Sequence, residues 1–505
     1  MIPVEHFPVI IVTTGMFIGY TILLAGLVNK KSCFYISLAA ISSYFIMSFF
    51  ILHHVLTVGT IHYWMGGWRP PWGIEYVVDG LNAYVLIIVL FLSLLALIYS
   101  KRSVEREVED RKQVTFYTIF HLLVAGCCGV VVTGDAFNMY VLSEIASLTA
   151  YALIGIAGGR ALRASYNYLV LGSIGICFYL LGVACLYSVT GTLNMADLRL
   201  LLPPLYGNRM VQTAFVFVVI GLGIKAAFFP LHTWQPDAYT YAPSAVTVLI
   251  STAVAKTFIY ALIRIIYSVF TVDFIVRYIG LDLVICWIAA VAILAGSIFA
   301  IAQRNLKRML AYSSISQVGY IILGVGLSPL SIFGLVGAVA HILNHSVMKG
   351  CLFSTAGAFI HKAGLRDIKD LTGLARKMPY SSAALTIAAV SMIGIPPTTG
   401  FASKLFLILA SLEAYQYAFV AILLLSSLLN LVYFWRVIER LYFLGHEEAM
   451  NGGEREGGGE LPLSMLVPMV ILASLCIIVG VLWLTKLPVP LISEILSNLR
   501  VGVMP

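Results

Sequence analysis

Five ionisable side chains lie inside long apolar runs of this 505-residue sequence. They are one carboxylate and four ammonium groups: Glu144, Lys225, Lys256, Lys349 and Lys404. An ionisable group at the centre of a bilayer costs about 2.5–3.5 kcal/mol even on the lenient insertion scale. Five unpaired groups would cost about 12–17 kcal/mol, which is comparable to the net stability of a whole protein. We expect these side chains to face a bundle interior, to pair with one another or to contact water.

The types and spacing of these residues suit the transfer of protons. Burial disfavours the charged form of a lysine and a nearby carboxylate favours it, so a moving partner can load or release a proton. His341, His345 and Lys349 recur every four residues in "HILNHSVMKGCLF" and so share one helix face. Histidine titrates near neutrality, which allows such a stripe to pass protons through water. Secondary candidates are His232, Asp135 and Asp237.

Other interpretations of the same residues stay open. The lysines, and Lys349 in particular, could extend along apolar surface to place their charges at the membrane interface. The histidine stripe could be a set of polar residues stacked in a core. A pair spaced H-x-x-x-H could also bind zinc, but no carboxylate or cysteine nearby completes such a site, so we predict no metal.

Two backbone interruptions accompany two of the lysines. Prolines follow Lys225 in "GLGIKAAFFPLHTWQPDAYTYAP" and precede Lys404 in "GIPPTTGFASKLF". Proline removes a helical hydrogen bond, and non-helical backbone at membrane depth is tolerated only where it lines a cavity or is buried in protein. Paired interrupted spans indicate an inverted-repeat transporter, although ordinary proline kinks are the alternative. The predicted helix breaks are Pro230, Pro236, Pro396, Pro397 and Gly400.

The elements that must position these residues are membrane-spanning helices. Hydrophobic residues make up 60% of the chain and charged residues only 11%, against roughly 25% charged in an ordinary soluble domain. A spanning helix needs about 20 apolar residues, and such runs recur along the whole chain. The sequence therefore predicts an all-α polytopic membrane protein with about fourteen spans. Their approximate cores are 7–28, 34–56, 78–100, 113–133, 137–157, 165–190, 210–240, 243–268, 278–302, 309–328, 331–360, 380–412, 415–441 and 464–486.

The loops between these runs predict the orientation. With both termini outside, the loops on the cytoplasmic side hold twenty lysines and arginines and the opposite loops hold seven, as the positive-inside rule requires. We therefore predict a cell-membrane protein whose first apolar run is retained as a helix. The loop "HYWMGGWRPPWGIEY" carries aromatic residues suited to a membrane interface, and "GHEEAMNGGEREGGGE" (445–460) has a disordered composition.

Several classes of function have no support in the sequence. The eight cysteines form no C-x-x-C pair, and no dinucleotide, Walker or G-x-S-x-G motif is present. The net charge of +8 is not gathered into a stripe on any polar segment, so nucleic acid is not an expected partner. We predict no cofactor and no redox or hydrolytic site in this chain, and leave open whether it belongs to a larger enzyme.

Five ordered motifs resemble the antiporter-like subunits of Mrp cation/proton antiporters, respiratory complex I and membrane-bound hydrogenases. They are "TGDAFNMYVLSEIASLTAYALI", "GIKAAFFPLHTWQPDAYTYAPSAVTVLISTAVAKTFIYALIR", "RNLKRMLAYSSISQVGY", "HILNHSVMKGCLF" and "GFASKLF". The resemblance implies helices 1–3 in 1–112, two inverted five-helix repeats in 113–268 and 269–441, and a Gly/Glu-rich loop with helix 14 in 442–505. It also implies that helices 7 and 12 are broken, and that the proton path comprises Glu144, Lys225, Lys256, His341, His345 and Lys404.

The resemblance also implies partners and a driving force from outside the chain. A lysine at position 404 resembles the D-type component of Mrp antiporters and its counterparts in membrane-bound hydrogenase or sulfur reductase, with smaller complex I subunits as the alternative. We expect other membrane subunits as partners, including further antiporter-like subunits. Sodium needs several oxygen ligands, which lysines and histidines do not supply, so we expect this chain to carry protons and any sodium to move elsewhere. A stand-alone anion transporter and a purely structural subunit are the rivals.

Overall fold

The computed structural model describes residues 3–280, 282–444, 459–485, 492 and 494–496. These residues are overwhelmingly helical, which confirms the predicted all-α polytopic membrane protein. Most of the predicted disordered segment, 445–458, lies outside the described residues.

The first three helices surround a β-hairpin that the sequence did not predict. Strands β1 (Ile61–Trp64) and β2 (Glu75–Val78) pair antiparallel, with Ile61 opposite Val78. We expected a loop here; the four residues at each end pair because their side chains alternate in burial, while Gly- and Pro-containing chain connects them. The helices are α1 (Phe7–Val28), α2 (Lys30–Thr57) and α3 (Gly80–Glu107).

The next six helices include the first interruption. They are α4 (Gln113–Val132), α5 (Ala136–Gly155), α6 (Arg160–Thr190), the short α7 (Met195–Leu201), α8 (Arg209–Lys225) and α9 (Gln235–Tyr241). Residues 226–234 separate α8 from α9 in the place of the seventh predicted span. Pro230 lies in this interruption, whereas Pro236 lies in the first turn of α9, where proline is tolerated because that N–H has no helical partner. The prediction that Pro236 breaks the helix is therefore wrong.

The central helices follow. They are α10 (Ser244–Ile279), α11 (Asp282–Ile301), α12 (Leu306–Leu327) and α13 (Ile332–Ala363). Helix α10 contains wide π-type turns, the first over Ile250–Val254, and its backbone is distorted at Thr271, where φ is 65°. The last four helices are α14 (Pro379–Ile393), α15 (Thr399–Glu413), α16 (Tyr417–Tyr442) and α17 (Leu463–Leu484).

The second interruption is short and closely packed. Helix α14 ends at Gly394, whose φ of 92° favours glycine, and residues 394–398, with Pro396 and Pro397, lead into α15. Gly400 lies in the first turn of α15 and does not break it; a Cβ at this position would lie 1.9 Å from the carbonyl oxygen of Ser391. The glycine is needed because the two half-helices approach one another there.

Helix lengths agree with the predicted spans. Twelve described helices are long and apolar enough to cross a membrane, and each interrupted pair, α8 with α9 and α14 with α15, counted as one crossing brings the total to fourteen. Helices α12 and α13 are almost wholly buried, whereas α1, α2 and α16 lie at the periphery. The buried lysines and histidines therefore belong to the centre of the bundle.

Candidate functional site

Glu144 and Lys225 form an ion pair between α5 and the end of α8. The distance from Lys225 Nζ to Glu144 Oε1 is 3.5 Å. Lys225 is the last residue of α8 and is fully buried, whereas 24% of the Glu144 side chain is exposed at the flank of the chain. The carboxylate therefore connects an outer surface of the bundle to an interior ammonium group.

Two hydroxyl groups that the sequence did not single out complete this pair. Lys225 Nζ donates hydrogen bonds to Ser147 Oγ at 2.7 Å and to Tyr151 OH at 3.1 Å. Ser147 and Tyr151 follow Glu144 at i+3 and i+7, so one face of α5 holds all three acceptors. That helical spacing was the available signal, but serine and tyrosine are too common in spans to stand out.

Lys256 lies just after the first π-type turn of α10. Its side chain is fully buried, and Nζ donates to the carbonyl oxygen of Ser251 at 2.7 Å. No carboxylate lies within ion-pair distance of it among the described residues. Phe258, two residues further along, has its ring centre 5.9 Å from Lys225 Nζ, which brings α10 against the end of α8.

His341 is fixed by hydrogen bonds at both ring nitrogens. Nε2 lies 2.9 Å from Gln317 Oε1 on α12, and Nδ1 lies 2.8 Å from Ser403 Oγ on α15. Because an amide oxygen only accepts, a neutral His341 donates from Nε2 and accepts the Ser403 hydroxyl proton at Nδ1. The His345 ring is nearly parallel to it at 5.9 Å and has no hydrogen-bond partner within the described part of the chain.

Lys349 is fully buried, so the interpretation that it extends to the membrane interface is wrong. Helix α13 continues to Ala363, well beyond position 349, which leaves the side chain inside the bundle. Nζ donates to the carbonyl oxygen of Leu310 at 2.7 Å and to Ser313 Oγ, both on α12. Lys349 thus branches toward α12 from the face that carries the two histidines.

Lys404 reaches back across the second interruption. Its Nζ donates to the carbonyl oxygens of Met392 and Ile393, each at 2.9 Å, and to Ser427 Oγ at 3.1 Å. The last carbonyls of a helix lack helical partners and carry partial negative charge, so the end of α14 is a suitable place for an ammonium group. Lys225 and Lys404 therefore both lie at the end of the first half of a broken helix, although they occupy different sides of the break in sequence.

The secondary candidates lie outside this group of contacts. Asp135 caps α5 by accepting the backbone N–H of Asn138 at 2.6 Å. Asp237 on α9 pairs with Arg308 on α12 at 2.8 Å. His232 lies in the first interruption, where its ring stacks on Phe229 at 5.1 Å. None of the three contacts a buried lysine in the hydrogen bonds and ion pairs of the described residues.

Neither histidine belongs to a metal-ligand cluster. Among the described residues, no group of three or more His, Cys, Asp and Glu side chains is placed to hold a metal ion. Both nitrogens of His341 are already bonded to Gln317 and Ser403. The arrangement of these residues favours proton exchange between neighbours over metal coordination.

A second buried ion pair went unrecognised in the sequence. Arg264, which we assigned to a loop, lies within α10 and makes a bidentate pair with Asp79, at 2.8 Å from each carboxylate oxygen. Asp79 also caps α3 together with Asn82. The guanidinium is tolerated there because the carboxylate, Tyr260 and Asn82 satisfy its donors. This pair ties α3 to α10 near the hairpin.

The hairpin is held by one buried carboxylate. Glu75 Oε1 accepts from His62 Nδ1 at 2.9 Å and Oε2 accepts from Asn194 Nδ2 at 2.8 Å. The hydrogen bond to Glu75 raises the pKa of His62. Burial alone would raise the pKa of Glu75, but the hydrogen bonds from His62 and Asn194 outweigh it, so its pKa is lowered.

We expect the attachment of the hairpin to weaken at both ends of the pH range. The His62 contribution is present below the ordinary histidine pKa of about 6.5 and is lost as pH rises through its raised pKa. The Glu75 contribution is present above the ordinary carboxylate pKa and is lost as pH falls through its lowered pKa. Hydrogen–deuterium exchange of the hairpin amides, corrected for intrinsic rates, should show greatest protection between the two.

A His62→Gln chain should lose the decline on the alkaline side, whereas His53→Gln, on exposed α2 surface, should keep it. Equal protection of the hairpin at all pH values in the unaltered chain would show that the His62–Glu75 contact does not hold it.

The fold and the site define an ion-transport type of polytopic membrane protein, with titratable groups buried along two broken helices. Comparison with known families agrees: the chain belongs to the family described as the transmembrane part of NADH:quinone oxidoreductase/Mrp antiporter, which matches residues 133–430. It is thus an antiporter-like subunit of the kind found in Mrp and complex I-type complexes, as the five motifs predicted.

Individual relatives extend over most of the chain. The N-type component of the NADH-quinone oxidoreductase of Desulforudis audaxviator is 47% identical over 429 residues, covering 83% of this chain and 84% of its own. The D-type component of the Na+/H+ antiporter of Bacillus subtilis is 31% identical over 446 residues, covering 88% and 87%. A solved chain of the archaeal membrane-bound sulfane sulfur reductase, a respiratory membrane complex, superposes with a TM-score of 0.88 at 30% identity, over 98% of this chain and 97% of that one.

Proposed function

We propose that this chain translocates protons through the membrane along an axis of buried titratable groups. The axis runs through Glu144, Lys225, Lys256, His345, His341 and Lys404. The observation that carries the proposal is that every one of its lysines is buried within a span and held by hydroxyl or carbonyl oxygens. Such acceptors hold an ammonium group and still allow it to lose its proton, which a structural ion pair would resist.

Contacts between neighbours support a continuous route in the second half of the axis. His345 faces His341 at 5.9 Å, and His341 bonds to Ser403, the residue before Lys404. The ring of Tyr320 lies 5.5 Å from His341 and its centre lies 5.1 Å from Lys404 Nζ. Gaps of this size suit transfer through hydroxyl groups or one or two waters.

The first half of the axis depends on α10. Lys256 is within electrostatic range of both His341 and His345, and the Phe258 ring lies beside Lys225. Protons would approach at the exposed edge of Glu144 and pass to Lys225. The two broken helices, each with a lysine at the end of its first half, support two inverted repeats over 113–268 and 269–441, although the distorted region of α10 extends past the boundary at 268.

We further propose that the chain works within a multisubunit membrane complex. A lysine at position 404 and the likeness to the D-type component of the Na+/H+ antiporter and to the sulfur reductase chain favour an assembly of the Mrp or hydrogenase/sulfur reductase type. The 47% identity to the N-type component of a quinone oxidoreductase favours a complex I-type assembly as the second candidate. Identification of the subunits that co-purify with the full-length chain distinguishes the two.

The carboxylate of Glu144 supplies the first test. In a Glu144→Gln chain the side chain keeps its shape but can no longer pair with Lys225 as an anion or deliver a proton. We expect complex assembly to persist and proton translocation to fall sharply, measured with a pH-sensitive dye in vesicles that contain the purified complex.

Glu439→Gln on α16, which neutralises a partly buried carboxylate outside the axis, is the matched control and should translocate normally. Full activity of an assembled Glu144→Gln complex would remove this pair from the axis. Uptake of an anion by the purified single chain would instead support the stand-alone transporter, and unchanged translocation in lysine variants the structural subunit.

A further inference from the structure

A cavity of about 380 Å³ lies at the end of the bundle where the predicted cytoplasmic loops meet. The end of α3, the start of α12 and the segment after α13 contribute Arg106, Lys307 and Arg366 to its lining. Glu107 is its one carboxylate, and His361 completes the polar groups. None of these residues belongs to the proposed proton axis.

The positive groups of this cavity have no anionic partner within the described residues. Arg106 and Arg366 make no ion pair or side-chain hydrogen bond there. The carboxylate of Glu107 is occupied elsewhere: one oxygen accepts from Ser103 Oγ and the other accepts from the backbone N–H and hydroxyl of Ser244. Three cations therefore face one carboxylate that already serves to cap α10.

Lys307 is the most unusual of the three. It is 3% exposed, and Nζ donates to the carbonyl oxygen of Ala242 at 2.8 Å. An ammonium group has three donors, and no other acceptor is bonded to it in the described part of the chain. A buried charge is costly unless it is paired, so the remaining donors of Lys307, on the cavity wall, require an acceptor.

We propose that this cavity binds a phosphate-bearing anion, either free phosphate or the head group of an anionic phospholipid. Guanidinium groups match phosphate oxygens with paired hydrogen bonds, and a lysine adds a point charge. Basic pockets between helices on the cytoplasmic side recognise anionic head groups in the same way. The positive lining argues against an uptake mouth for protons, since it repels cations. The bound anion joins α3, α12 and the segment after α13.

The test uses the purified complex in zwitterionic lipid, with its melting temperature followed as inorganic phosphate replaces chloride at constant ionic strength. A ligand that binds only the folded state raises this temperature in a saturable way. A parallel arm counts the phosphatidylglycerol and phosphatidylcholine molecules retained by the complex in native mass spectrometry. A phosphate-dependent rise assigns free phosphate, and selective retention of phosphatidylglycerol assigns the lipid head group.

The Arg106→Gln, Arg366→Gln double variant should weaken the effective probe by about tenfold or more, because two charge-assisted contacts are lost. A Lys31→Gln, Lys369→Gln double variant removes the same charge from exposed positions at this end of the bundle and should bind like the unaltered chain. Equal melting temperatures without ligand show that both variants fold. The proposal is overturned if neither probe binds selectively, or if the arginine double variant binds as well as the lysine double variant.

Discussion

A chain with alanine at both His341 and His345 is expected to move no protons, although its complex still assembles. The two imidazoles are the only titratable side chains that we find between Lys256 and Lys404 along this face of α13 in the described residues. Alanine cannot hold a proton, and the gap left between two lysines is too long for one transfer step. Proton flux into vesicles that contain the complex, driven by its own reaction or by an imposed gradient, is the measurement.

Single variants separate proton transfer from packing. His345 makes no side-chain hydrogen bond to a described residue, so His345→Gln removes a proton carrier without breaking a contact and should also lower the flux strongly. Lys349→Ala should have the milder effect, since the contacts from His345 through His341 and Ser403 to Lys404 bypass Lys349. Normal pumping by the double histidine variant would place the proton route elsewhere in the chain.

Arginine at position 404 is expected to block translocation while the broken helix is preserved. Lys404→Arg keeps a cation with several donors against the carbonyl oxygens of Met392 and Ile393, but a guanidinium does not release its proton in proteins. Assembly should therefore match the unaltered complex and proton flux should fall to background. Lys404→Ala should also block flux, with an added loss of stability because two helix-end carbonyls lose their donor.

Lys404→Glu is the informative counterpart, because a carboxyl group can bind and release a proton. It should retain part of the flux, since a protonated carboxyl can still donate to one of the two carbonyl oxygens. A cysteine at 404 should react with a water-soluble reagent in at least one state of the cycle. Wild-type flux in the arginine chain, or full protection of that cysteine in every state, would exclude residue 404 from the route.

Spans and buried ionisable residues were predictable because each gives a strong local signal. An apolar run of about 20 residues is hard to place anywhere but in a bilayer, and a lysine within it is costly. The fourteen predicted cores therefore fall on the observed helices, and the proximity of Glu144 to Lys225 followed from the resemblance. Where proline caused the prediction, as at Pro236, the type of residue was informative and its position in the helix was not.

The partners of those residues were not predictable, because hydroxyl and amide groups cost little in a span and give no pattern. Gln317 and Ser403, which fix His341, lie inside two of the quoted motifs but carry no signal of their own. Arg264 was misplaced because its carboxylate partner, Asp79, is distant in sequence and only the folded chain brings them together. The hairpin was missed because four-residue strands are too short to give a periodic pattern.

The excess of ammonium groups over carboxylates has a consequence for how many protons the axis holds at once. Glu144 is the one carboxylate in the axis, whereas Lys225, Lys256 and Lys404 are all buried there. Two positive charges about 10 Å apart repel by roughly 1.7 kcal/mol at an effective dielectric constant of about 20, which exceeds a tenfold change in a proton-binding constant. Occupancy is therefore negatively cooperative: a proton that loads one lysine makes its neighbours more ready to release theirs, so uptake at one end of the chain and release at the other are linked without any large movement of the backbone.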